Sequence, residues 1–84
     1  MITSRQVRAA RALLGWSQEL LADKALVALT ALKRLESDRL SVRDATREAV
    51  RKALEAAGIE FLSSGRSEGV MLARPQTSQQ DEEA

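Results

Sequence analysis

Up to position 57, apolar residues recur at the three- and four-residue spacing of helices, and the spacing changes after Gly58. Thr3-Ser4-Arg5-Gln6 opens the first element, because a hydroxyl at the N-cap and a glutamine three residues on satisfy orphan amides reciprocally. Val7, Ala10, Leu13 and Leu14 form its apolar stripe, and Gly15 offers a left-handed stop. Arg5, Arg8 and Arg11 take the remaining face as a solvated stripe. Trp16 is expected in the core, where large rings mostly lie. Ser17 caps a second helix that ends near Lys24 or Ala25 and carries Leu20, Leu21 and Ala25.

A third helix covers Ala28 to Glu36, with Leu32 and Leu35 on one face and Lys33 and Arg34 on the other. Ser37 to Ser41 is a loop. Asp44 or Ser41 opens a longer helix through Ala57, its buried stripe being Ala45, Ala49, Val50, Ala53 and Leu54. Beyond Gly58 the period becomes two: Ile59 and Phe61, then Val70 and Leu72, flank a Ser/Gly-rich loop and predict a β-hairpin. An isolated hairpin is marginal in water, so it must pack on the helices or pair with another chain. Pairing within the chain predicts a monomer; pairing across chains predicts a homodimer by sheet addition. The boundaries are one domain over residues 1–73, with the hairpin at 59–73, and a disordered acidic tail over 74–84.

Composition narrows the function. Fourteen alanines and twelve leucines in 84 residues favour helix, and the fold class is mainly all-α with four to five helices. His and Cys are both absent, which removes zinc sites, disulfides and the usual activating bases of nucleophilic catalysis. An enzyme is not expected, nor any cofactor or metal. The longest apolar run, Ala25 to Leu29, is five residues, so no membrane span and no secretory leader are expected, and the protein is expected to be cytoplasmic. The net charge of +1 hides an asymmetry: residues 75–84 hold three acids and no base, leaving 13 basic and 9 acidic residues, or +4, before them. Nucleic acid or an acidic protein surface suits such a domain.

The stretch Ala10-Arg11-Ala12-Leu13-Leu14-Gly15-Trp16-Ser17-Gln18-Glu19, followed by Leu21-Ala22, Val27 and Leu35-Glu36, resembles the Cro/cI-like (xenobiotic-response-element) helix-turn-helix regulators. Ala53 to Phe61 resembles the end of one bacterial subgroup, and the likeness extends over roughly residues 3 to 73. It implies a compact helix-turn-helix domain whose third helix enters the major groove of DNA, in a protein that represses transcription as a dimer. Carried onto this chain, it implies DNA contacts at Gln18, Thr30, Lys33 and Arg34, with Arg39 near a phosphate in the following loop.

The chain also departs from the family pattern. Leu26 stands where the family has glycine in the turn, so the turn must strain or change shape. Ala28 replaces the serine that caps the recognition helix, a loss of about 0.5–2 kcal/mol. The next positions are Leu29, Thr30 and Ala31, of which only Thr30 offers a hydrogen bond to a base edge. Leu20 occupies a position that is commonly charged. Because Leu21, Ala25, Val27, Leu32 and Leu35 already fill the core positions, Leu20, Leu26 and Leu29 are expected to form an exposed patch. Rotation of the helices would instead bury them.

The favoured expectation from sequence is a protein-binding surface made of Leu20, Leu26, Leu29, Thr30, Lys33 and Arg34. It would sequester another transcription regulator as an antiactivator or anti-repressor, quorum-sensing activators being one such class. The alternatives are a dimeric DNA-binding repressor using Gln18, Thr30, Lys33, Arg34 and Arg39, or the antitoxin of a toxin–antitoxin pair.

Overall fold

The computed structural model describes residues 1–38 and 42–74; Arg39 and nearly all of the expected tail lie outside the described residues. Four helices, α1 (Ser4–Leu14), α2 (Gln18–Ala25), α3 (Leu29–Glu36) and α4 (Asp44–Ala56), precede two strands, β1 (Ile59–Ser63) and β2 (Glu68–Leu72). This is the mainly helical architecture with a terminal hairpin that the periodicity predicts.

Local chemistry sets the ends of α1 and α2. Thr3 Oγ1 accepts from the Gln6 amide, while Gln6 Oε1 accepts from the Thr3 amide at 3.0 Å, completing the capping box. Gly15 ends α1 at φ 69°, and Ser17 Oγ accepts from the Leu20 amide at 3.0 Å to start α2. The Ala28 start of α3 has no side-chain cap, as expected from the missing serine.

The core gathers one face of every element: Val7 and Ala10 of α1, Leu21, Ala22 and Ala25 of α2, Leu32 and Leu35 of α3, Val50 and Leu54 of α4, with Ile2 and Ile59. A fully buried Leu or Val contributes about 1.5–3 kcal/mol, so this cluster holds the helices in one arrangement. Trp16 is half-buried against it, with Lys24 Nζ 5.8 Å from the ring centroid. Several expected core positions differ. Leu13 and Ala45 are exposed, and Leu14, Val27, Ala49 and Ala53 are only half-buried, because the apolar stripes are wider than the surfaces that cover them.

The hairpin is antiparallel, with Ile59 opposite Leu72, Phe61 opposite Val70 and Ser63 opposite Glu68. Each strand is one or two residues longer toward the turn than the alternation predicts, leaving Ser64 to Ser67 as the loop, closed by the Ser64 amide donating to Ser67 O at 2.8 Å. Phe61 and Val70 pack on the helical core. Gln6, 3% exposed, donates Nε2 to both Leu62 O and Gly69 O at 3.0 Å, pinning α1 beneath the ladder.

Candidate functional site

The α2–turn–α3 unit is positioned from behind by an ion pair that joins distant segments. Glu36, 4% exposed at the end of α3, accepts from Arg11 Nε at 2.6 Å and from Arg11 Nη2 at 2.8 Å. Arg11 Nη1 also donates to Trp16 O at 3.0 Å, and Gln18 Nε2 donates to Glu36 Oε1 at 3.0 Å. The Glu36 carbonyl accepts from Arg8. A bidentate guanidinium–carboxylate pair carries geometric specificity as well as energy, so α1 and the first turn of α2 are locked to the last turn of α3. The hydrogen bond to Glu36 is the chief reason why the Arg11 guanidinium lies above its ordinary pKa; partial burial opposes it.

Two of the arginines expected as a solvated stripe therefore belong to this lock, Arg11 and Arg8. Arg5 pairs with the Glu68 carboxylate of the hairpin. Helical spacing shows that the three share a face, but it does not show that this face lies against α3 and β2. Gln18, expected at DNA, has its amide nitrogen turned to Glu36 instead of standing free.

In front, the turn keeps its helix-turn-helix form despite the leucine. Leu26 adopts the left-handed conformation at φ 58° and ψ 42°. Its amide donates to Asp23 O at 3.2 Å and the Val27 amide to Ala22 O at 3.0 Å, the paired bonds of a Schellman cap. Of the two outcomes open to this turn, the strained one is observed. The Leu26 side chain is 91% exposed.

On α3, Leu32, Leu35 and Glu36 point inward, while Thr30, Lys33 and Arg34 are exposed. Leu29 is half-buried and packs against the core, and Leu20 is 37% exposed. The exposed leucines at the tip are thus Leu26 and, in part, Leu20. Beside α3 runs a groove of about 390 Å³, its apolar lining Leu26, Val27, Ala28, Ala31 and Val42. Arg34 and Arg43 both line it, so two cations border the groove. Arg43 was missed by the sequence reading, because its place beside Arg34 depends on how α4 packs against the helix-turn-helix unit.

Among the described residues, no cluster of carboxylates suits a metal ion, and no helix is long and apolar enough to cross a membrane.

The family model described as Helix-turn-helix matches residues 7–62, two-thirds of the chain, and the chain belongs to that family, the Cro/cI-type regulators. It is a helix-turn-helix transcription regulator. No curated protein matches the chain.

Proposed function

We propose that the protein regulates transcription by binding DNA through α3, with Thr30, Lys33 and Arg34 facing the major groove and Arg43 at the backbone. The observation that carries this reading is the outward face of α3: a hydroxyl and two cations three and four residues apart, all exposed, on a helix held from behind by Arg11–Glu36. Arg34 is the residue suited to guanine, whose O6 and N7 accept a bidentate guanidinium. Lys33 and Arg43 supply sequence-independent attraction to phosphate, joined by the second N–H of the Gln18 amide and by Arg39 beyond the third helix. Leu29 supports the reading by packing inward, which removes it from the surface that meets the bases.

The test is selection of binding sequences from a random duplex pool at low salt, followed by anisotropy titration. Arg34→Ala is expected to relax preference at one position, at about 1–3 kcal/mol of discrimination. Lys33→Ala is expected to weaken all sequences alike and to reduce the salt slope by about one. Absence of binding to any duplex at 50 mM salt overturns the reading.

A second reading rests on Leu26. A leucine held at positive φ and 91% exposed contributes no packing within the chain, which suits a contact with another protein. In this reading Leu26 and Leu20, with Leu29 at their margin, dock on another transcription regulator, giving an antiactivator or anti-repressor, and Lys33 and Arg34 orient the complex. Leu26→Glu separates the two: it abolishes a protein complex, and it weakens DNA binding only as far as the added charge repels phosphate.

A further inference from the structure

The groove of about 390 Å³ beside α3 joins two kinds of lining that call for different ligands. Ala28, Ala31 and Arg34, spaced by three, form its α3 wall, and residues around the start of α4 form the other. The hollow exists because residues 28 and 31 are alanines, since larger side chains there would fill it. Its volume lies within the ~300–1,000 Å³ of small-molecule sites.

The charge in the groove is one-sided. Arg34 and Arg43 line it and no acidic residue does. Asp44, next to Arg43 in sequence, lines a different groove with Met1 and Ile2. Among the described residues no carboxylate pairs with either arginine, and the adjoining Arg39, Leu40 and Ser41 include no acid. A cleft lined by one sign of charge on low-dielectric walls concentrates its counter-ion. The rest of the lining is largely apolar: Val27, Ala31 and Val42 are half-buried, and Leu26 is exposed at a strained φ.

We propose that this groove binds a small amphiphilic oxyanion, a carboxylate on a short apolar chain. Arg34 and Arg43 hold the head, and the chain lies against Leu26, Val27, Ala31 and Val42. A bare anion such as phosphate answers the guanidiniums but leaves the methyl groups wet. A neutral hydrocarbon covers the methyl groups but leaves two cations without a counter-charge. The amphiphile does both. It also gives Leu26 a burial that its own chain does not provide. Arg34 serves the proposed DNA interface as well, so an occupied groove and DNA bound through α3 exclude each other. That consequence rests on the DNA reading, whereas binding of the amphiphile does not.

The test uses octanoate as its probe and contains no DNA, so its result stands apart from that of the proposed function. Titrated into the full chain and followed by amide chemical shifts, octanoate is expected to saturate with a dissociation constant of roughly 0.1–1 mM. The shifts are expected at residues 26–31 and 43–46. Acetate, the head without the chain, and octanol, the chain without the head, are each expected to bind at least about tenfold more weakly. Arg34→Ala combined with Arg43→Ala removes two exposed guanidiniums and is expected to weaken octanoate by about tenfold or more. Ala31→Leu fills the groove and leaves every charge in place. It is expected to weaken octanoate as much while keeping the wild-type circular dichroism spectrum, so it carries the test should the double variant unfold. Failure of octanoate to saturate by about 10 mM overturns the proposal. So does acetate or octanol that binds as tightly as octanoate, or a variant of either kind that folds and binds octanoate like wild type.

Discussion

Two turns bracket α2, and both use the same cap with different residues. At the first, Gly15 sits at φ 69° with its amide on Ala12 O and the Trp16 amide on Arg11 O; at the second, Leu26 sits at φ 58° with the corresponding bonds to Asp23 O and Ala22 O. Glycine adopts this conformation freely, whereas a leucine pays about 1–2 kcal/mol for it. The first turn is also braced, since Arg11 grips the Trp16 carbonyl and is itself held by Glu36. The second leads into a helix without a side-chain cap. Strain has been placed at the tip of the helix-turn-helix unit, on its outward side, and kept away from the side that fixes its orientation. Such placement is characteristic of working surfaces.

The largest effect is expected at the brace. Glu36→Gln leaves the partly buried Arg11 guanidinium without its counter-charge, and urea denaturation is expected to show a loss of about 2–3 kcal/mol. Next is the exchange of the caps. Gly15→Leu is expected to cost about 1–2 kcal/mol from conformation alone, because a Cβ there meets nothing within 4 Å. Leu26→Gly is expected to stabilise by roughly 0.5–1 kcal/mol, the relief of strain being partly offset by the greater freedom of glycine in the unfolded chain. If both variants leave the midpoint unchanged, the two turns are energetically alike and Leu26 carries no strain.

The smallest effect lies away from both turns, at the α1–hairpin ion pair. Hydrogen bonds from Arg5, then from Thr3, hold the Glu68 carboxyl below its ordinary value of 4.5. A carboxyl with a depressed folded pKa stabilises the fold above the unfolded pKa and loses that contribution as pH falls through the folded one. Thermal melts of wild type and Glu68→Gln should therefore differ slightly at pH 7 and converge as the pH falls below the carboxyl's ordinary value and through the folded one.

Local signals were legible in the sequence and relational ones were not. Thr3, Gln6, Gly15 and Ser17 act within four residues of themselves, so their caps could be named from spacing alone. Leu26 announced its strain by standing in a position that needs positive φ. Arg11 could not be placed, because its partner Glu36 lies 25 residues away and a helical stripe gives no hint of which neighbour covers it. The same holds for Leu13 and Leu29, whose exposure depends on small rotations of α1 and α3 against the core. Arg43 joins the candidate site only through the packing of α4, and periodicity carries nothing about that.

Gln6 has a wider consequence than its place in a capping box suggests. Its oxygen holds the amide that begins α1, and its nitrogen holds two carbonyls of the terminal hairpin. The first helical turn and the last two strands thus share one side-chain amide. In native-state hydrogen exchange they should open as a single unit, with the Thr3 amide and the β1–β2 ladder losing protection together.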